Sequence, residues 1–402
     1  MTAKNGSDPL APWKHAFRGH RQKPTKPHKD EFAGWAGRAP HGMNVAMAEL
    51  SVLVVGCGNM GSSHARAYHQ LADFRVVGLV ARGAASRDKL SQELGGVPTF
   101  ADFETAYQET KPDVVSINTY PDTHAKIART AIEGGSHIFI EKPLAETVAE
   151  AQEIADLAKE HDRKVVVGYI LRVHPAWQKF IEVAQTLGKP LVMRMNLNQQ
   201  SRGKDWTTHK ALMDSMSPIV DCGVHYVDVM CQMTRSRPTR VSAVQARLSD
   251  ELKPGMYNYG QLQVTFEDGS VGWYEAGWGP MMSEVAYFVK DVIGPKGCVS
   301  IVDREGERAT DSSDVDSHTA TNSLKVHYQD RDEEDEFTRQ DEWIDTTDEP
   351  DHDGLCLREQ EFLLNAIQND VDLTDHLTDA VASLRIVLAA DQSAREGRTI
   401  DL

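Results

Sequence analysis

Ser51-Val-Leu-Val-Val-Gly56-Cys-Gly58-Asn-Met-Gly61-Ser-Ser-His64-Ala-Arg-Ala67 decides the reading of this chain. An apolar run ends in Gly-x-Gly-x-x-Gly, and helical spacing follows at once. Strand, tight turn and helix are therefore predicted in succession. Gly56 permits the turn, Gly58 lets a pyrophosphate approach the backbone, and Gly61 lets the helix pack close to the strand. Asn59 and Met60 sit at the new helix start, where unpaired N–H groups and the positive dipole end favour phosphate. A bare glycine triplet also serves ordinary turns, but here both flanking elements are present.

Outward from that stretch, residues 49–173 alternate short β-branched runs with amphipathic helical ones. Strands are predicted at 51–55, 75–80, 113–118, 137–140 and 164–169, with a short one at 98–100. Helices are expected at 60–70, 86–94, 123–133 and 147–161. This describes a doubly wound parallel sheet of the Rossmann kind, with its ligand at the carboxyl ends of the strands. Past Arg172 the pattern changes. A helix over 176–187 and a strand over 191–198 precede a helix at 219–232. Longer alternating runs follow at 239–247, 260–266, 270–276 and 285–292, and helices at 355–368 and 376–396 close the chain. Residues 174–402 thus read as an α+β domain with a large, predominantly antiparallel sheet.

The chain has 402 residues and a formal net charge of −17, which argues against a general nucleic-acid binder. No apolar run approaches the ~18 residues of a membrane span. Five scattered cysteines without a Cys-x-x-Cys pair suit reduced thiols, so a cytoplasmic enzyme is expected. Residues 1–48 carry eight Lys/Arg against three Asp/Glu and five prolines, the composition of a disordered tail or extended arm. Trp13, Phe17, Phe32 and Trp35 leave open an arm laid across a neighbouring subunit. Residues 303–353 hold 19 Asp/Glu against 5 Lys/Arg and read as a solvated excursion rather than a metal site.

Three further constellations carry chemistry. The second strand runs into Ala81-Arg82, where an NAD fold usually has an acid for the adenosine ribose. A guanidinium there suits a 2′-phosphate, so NADP is preferred over NAD. Asn118-Thr-Tyr-Pro121-Asp-Thr-His124 and Glu141-Lys142-Pro143 fall at the ends of other strands. On one helix, Asp221, His225 and Asp228 are spaced i, i+4, i+7 and share a face. A carboxylate one turn from an imidazole suits a general base with a pKa near neutral. The set lacks the His/Cys number of a zinc site, and no metal is expected. Tyr169, His174, Trp206, His209 and Tyr226 suit a polyhydroxylated ligand, by stacking and by hydrogen bonding.

In this order, Gly56-x-Gly58-x-x-Gly61, Thr119-x-Pro121-x-x-His124, Glu141-Lys142-Pro143, Gly168-Tyr169-x-x-Arg172 and Asp221-x-Gly223-x-His225-x-x-Asp228 resemble the glucose–fructose oxidoreductase / inositol dehydrogenase / rhizopine catabolism (Gfo/Idh/MocA) family over roughly residues 50–400. The resemblance implies an NAD(P)-dependent oxidoreductase of sugars or cyclitols, often a homodimer or homotetramer through the open face of its second sheet. It implies Lys142 between nicotinamide and reacting hydroxyl, His225 as acid/base and Asp221 beside it. Thr119, Pro121 and Glu141 would line the nicotinamide half with Arg172 close to it; His124 is counted with the cofactor-binding residues, and Tyr169 and Trp206, by their side-chain chemistry, with the substrate-binding ones. The sequence departs from the family at three places. The ribose acid is missing, Ser215-Met-Ser-Pro218 replaces a glycine-rich run, and Trp206-Thr207 replaces a Trp-Arg pair. Redox-assisted glycoside cleavage with a retained cofactor, and a non-catalytic nucleotide sensor, are the competing readings.

Overall fold

A computed structural model describes residues 49–283, 289–302, 312 and 318–402. The expected arm at 1–48, the first half of the strand expected at 285–292 and part of the acidic block lie outside the described residues. The first half runs β1 (Leu50–Val55), α1 (Asn59–Gln70), β2 (Phe74–Val80), α2 (Ala84–Glu93), β3 (Thr99–Phe100), α3 (Phe103–Thr110), β4 (Val114–Ile117), α4 (His124–Glu133), β5 (His137–Glu141), α5 (Val148–Glu160) and β6 (Val165–Gly168). Its six strands are parallel, in the order β3-β2-β1-β4-β5-β6. Strand order therefore reverses between β1 and β4, and a crevice opens there beyond their carboxyl ends.

The helices start where the local chemistry allows. Thr147 and Glu150 form a reciprocal capping box on α5, and Asp102 accepts from Thr105 N–H to start α3, a helix the apolar spacing did not announce. In β1, Val52, Leu53 and Val54 are fully buried, as a strand covered on both faces requires.

The second half continues with α6 (Pro175–Thr186), β7 (Val192–Gln200), α7 (Gly203–Met213), α8 (Pro218–Asp221), α9 (Gly223–Thr234), β8 (Pro238–Ala246), β9 (Tyr259–Phe266), β10 (Val271–Gly279), β11 (Lys290–Gly294), β12 (Gly297–Val302), β13 (Ser323–Tyr328), β14 (Glu342–Asp345), α10 (His352–Gln368), α11 (Thr374–Glu396) and β15 (Ile400–Asp401). Among the described residues nine strands form one sheet, β14-β13-β12-β11-β7-β10-β9-β8-β15. Only the β7–β10 pair among its described neighbours is parallel. Two expectations change. The acidic block is not only an excursion, since β13 and β14 inside it extend the sheet edge. The helix expected at 219–232 breaks at Cys222 into α8 and α9.

The last helices return to the first half. Leu363 and Ala366 of α10, with Leu373 after it, share a buried cluster with Val52 and Val54 of β1 and Tyr68 of α1. A segment from the end of the chain thus completes the core around the glycine turn.

Candidate active site

The glycine turn has the geometry of a phosphate cradle. Gly56 has φ +97°, and a Cβ there would meet Asn118 O at 2.4 Å. A Cβ on Gly61 would lie 1.9 Å from Gly56 O, so neither position accepts a side chain. Above Gly58 the space is open, with nothing within 4 Å of a built Cβ. Helix α1 begins there with no side-chain cap, leaving its first N–H groups to a ligand. Cys57 is a buried filler whose thiol donates weakly to Val80 O, and burial pushes its pKa up to about 11.

A cleft of about 1130 Å³ runs from this turn, past Ala81 and Arg82, to Lys142, Asp221 and His225. Arg87 is engaged with the carbonyls of Ala81 (2.9 Å) and Phe100 (3.3 Å) and pins the loop. Arg82 is exposed beside it and makes no hydrogen bond or ion pair among the described residues.

At the far end Lys142 Nζ donates to Asp221 Oδ1 at 3.0 Å and to Asp221 O at 3.2 Å. Ser217 caps α8, with Pro218 at its first position, and so fixes the turn that carries Asp221. Burial opposes charge on both partners, but each holds the other ionised. The lysine pKa is raised, chiefly by the Asp221 carboxylate, and the aspartate pKa is lowered by Lys142. His225 stands edge-on to the Tyr169 ring at 5.8 Å, and its Nδ1 is buried without a hydrogen-bond partner. Burial, with the Lys142 cation, holds His225 down to about 3. The near-neutral pKa expected from the Asp–His spacing is therefore not what the site gives. Desolvation and the lysine outweigh Asp221, and the imidazole is neutral over the physiological range.

Behind Lys142, Glu141 Oε2 accepts from the Lys142 N–H at 3.1 Å, and Oε1 pairs with His64 Nε2 at 2.8 Å. Gln360 of α10 donates to His64 Nδ1 at 3.0 Å, which leaves the imidazole proton on Nε2 for Glu141. His64, Cys356 and Glu359 bring one candidate ligand atom each within 4.8 Å of one another. Both nitrogens of that histidine are already engaged, so the group does not fit a metal centre.

Of the predicted residues, Gly56, Gly58, Asn59, Met60, Ala81, Arg82, Thr119, Pro121, Glu141, Lys142, Asp221 and His225 line the cleft, as do His209 and Tyr226. Others act behind it. His124 bonds Pro143 O (2.9 Å) and Thr119 O (3.0 Å) and joins the two strand-end loops. Tyr169 bonds Ser383, Trp206 bonds Glu251, and His174 caps α6. Arg172 does not reach the cleft either. It grips Asp228 through both carboxylate oxygens and lies 2.8 Å from His376 Nδ1. Asp228 is fully buried in that pair, so it does not share a working face with Asp221 and His225. Residues that spacing did not single out also line the cleft. Gln199 at the end of β7 lies 2.9 Å from His318, and His352 and Glu359 come from α10. The carboxyl end of β7 was a usable signal for Gln199; nothing local marks the others.

Comparison with known proteins gives a consistent picture. A family described as "Oxidoreductase family, NAD-binding Rossmann fold" matches residues 50–169, and a second description, "GFO/IDH/MocA C-terminal domain", matches 179–299. A UDP-N-acetylglucosamine 3-dehydrogenase from Acidithiobacillus ferrooxidans is 27% identical over 198 residues, 49% of this chain and 58% of that protein. A scyllo-inositol 2-dehydrogenase (NAD(+)) from Bacillus subtilis is 24% identical over 367 residues, 88% of this chain and 96% of its own length. Among solved structures, scyllo-inositol dehydrogenase from Lactobacillus casei with bound NAD(H) and scyllo-inositol superposes with a TM-score of 0.69 at 18% identity. It covers 88% of this chain and 98% of that one, a likeness of fold.

Proposed function

Because the chain belongs to the Gfo/Idh/MocA oxidoreductases, we propose that it moves a hydride between a nicotinamide cofactor and the secondary-alcohol carbon of a sugar, glycoside or cyclitol. One observation carries the reading: the Lys142–Asp221 pair and His225 open onto the same cleft as the uncapped start of α1. The nicotinamide, when bound, supplies the hydride acceptor or donor. The glycine turn would hold its pyrophosphate, Ala81 and Arg82 its adenosine end, and Thr119, Pro121 and Glu141 its nicotinamide side.

In the oxidative direction Lys142 donates a hydrogen bond to the reacting hydroxyl and stabilises the charge that develops on its oxygen. His225, neutral and with a nitrogen unpartnered, accepts the hydroxyl proton. Asp221 fixes the lysine and balances its charge. A screen of myo-inositol, scyllo-inositol, aldoses and UDP-N-acetylglucosamine with NAD⁺ and NADP⁺ in parallel, read as reduced cofactor formed, tests the activity. No turnover with any member, despite cofactor binding, would count against it and favour a nucleotide sensor.

The cofactor is proposed to be NADP, because Ala81 offers no carboxylate to the ribose and Arg82 is uncommitted at the cleft edge. Arg82→Ala should then weaken NADP⁺ about tenfold or more and NAD⁺ far less, by titration calorimetry; equal losses would refute the preference. The protein is also proposed to assemble as a homodimer or homotetramer through the outer face of the nine-stranded sheet. Ile293, Val192 and Val271 lie side by side in register across β11, β7 and β10 and are 41%, 39% and 39% exposed. A monomer in light scattering at micromolar concentration would exclude this. Five unbridged cysteines favour a cytoplasmic location.

A further inference from the structure

Glu359 is a titratable carboxyl that nothing in the catalytic scheme uses. It sits on α10, is 3% exposed, and lines the cleft together with Glu141 and Lys142. Its Oε1 is buried with no hydrogen-bond partner. One of its oxygens lies within 4.8 Å of both a His64 nitrogen and Cys356 Sγ. Glu141 holds its charge through the His64 hydrogen bond and the Lys142 cation, although burial opposes it. A second buried carboxylate beside it has no such partner. Burial, and then the Glu141 charge, push the Glu359 pKa well above the usual carboxylate range.

Among the described residues, none of the surrounding titratable groups is hydrogen-bonded to the buried Oε1 of Glu359. From α1 come His64, held between Glu141 and Gln360, and Tyr68, whose phenol burial keeps neutral. From β5 come Glu141 and then Lys142, which is engaged by Asp221. On α10 itself, Cys356 is kept a thiol by burial and by the Glu141 charge, and His352 lines the same cleft. β6 contributes only Val165, Val166, Val167 and Gly168, and Arg172 in the turn after it is bound to Asp228.

We propose that Glu359 is a proton-holding group of the cofactor site, neutral in the free protein and ionised when a cationic, oxidised nicotinamide occupies the cleft. The proposal rests on the dinucleotide reading of the cleft given above. An oxidised nicotinamide carries a positive charge and a reduced one does not. A cation beside an unpaired buried carboxyl favours its ionised form, so the O–H bond breaks and the proton passes to solvent on binding. Reduced cofactor gives no such drive. The site thereby exchanges one neutral acid for one ion pair as the cofactor changes oxidation state, and binding of the two forms responds to pH differently.

The test is titration calorimetry of the full chain with NAD⁺ and NADH, and with the NADP pair in parallel, in buffers of different ionisation enthalpy. Wild type should release up to one more proton on binding the oxidised form than the reduced form. The dissociation constant of the oxidised form, divided by that of the reduced form, should fall by up to tenfold per pH unit as pH rises while free Glu359 is still protonated. Glu359→Gln should abolish both differences, with reduced-cofactor binding showing that the pocket still forms. An equal proton count for the two forms in wild type overturns the proposal without recourse to any variant. So does a difference that survives in Glu359→Gln, which would assign the proton to His64 or His352. Failure of all four nucleotides to bind would instead overturn the dinucleotide reading itself.

Discussion

Two groups in this molecule have the same ingredients, a cation, an aspartate and a histidine, and opposite outcomes. Arg172, Asp228 and His376 are closed on one another. The guanidinium grips both oxygens of Asp228, Gln232 adds a bond at 3.0 Å, and His376 Nε2 lies 2.9 Å from the Val167 N–H. Every member has a polar protein neighbour at hydrogen-bond distance and the cleft is elsewhere. Lys142, Asp221 and His225 are less complete: the lysine binds one carboxylate oxygen, and His225 keeps a buried nitrogen with no partner. Buried polar groups are normally satisfied, so the unfinished group is the one that awaits a ligand. Residue type alone does not separate the two; the unmet hydrogen bond does.

The strongest break of that comparison is in rate. His225→Ala should lower kcat by about 10²–10⁴-fold while leaving the melting temperature nearly unchanged. His376→Ala should do the reverse, lowering the melting temperature and leaving kcat within a few-fold. If both variants lose rate alike, the division between working and structural group fails. Next in size is stability. Arg172→Met leaves Asp228 buried without its cation and should cost about 3–5 kcal/mol in urea unfolding. Lys142→Met leaves its aspartate near an open cleft and should cost less, while still losing most of the activity.

The pH response sharpens the contrast further. With His225 held at about 3, wild-type kcat in the oxidative direction should stay level from neutral pH down to about pH 5, and only then fall as the imidazole protonates. Removing the Lys142 charge should move the His225 titration upward, readable by NMR on the imidazole. The same depressed value carries a stability consequence. The unfolded chain takes up a proton near pH 6.5 and the folded one does not, so the folded state is progressively destabilised as pH falls from there toward 3, and this site adds no pH dependence above it. Asp221→Asn is the mildest change, with kcat reduced less than in either neighbour, because the amide still accepts from the lysine.

Much of this was legible in the chain. The Gly56–Gly61 turn, Glu141-Lys142 and the Asp221/His225 pair fall at strand ends or a helix start, where local spacing and global position agree. What was not legible depends on distant pieces meeting. Asp228 keeps helical spacing with His225, but the helix breaks at Cys222 and Arg172 claims the carboxylate, so periodicity misassigned its face. Arg172, Tyr169, His124 and Trp206 look like ligand contacts by type, yet each meets a protein partner first. His318 lies in an acidic stretch without periodicity, and Glu359 sits nearly 300 residues from the turn it approaches. No local signal announces either. The depressed His225 pKa also needs the Lys142 charge in place, which sequence spacing does not supply.

The return of α10 onto α1 bears on how the protein comes to be made. Val52, Val54 and Tyr68 belong to the first quarter of the chain, but Leu363, Ala366 and Leu373, which cover them, are among its last residues. As a polypeptide leaves the ribosome in order, the dinucleotide half stands with an apolar side uncovered until nearly all of the rest has followed. A fragment ending near residue 173 should therefore be aggregation-prone rather than a free-standing nucleotide-binding module. Nucleotide affinity should appear late, with the last helices, so a chain truncated before α10 should never acquire it.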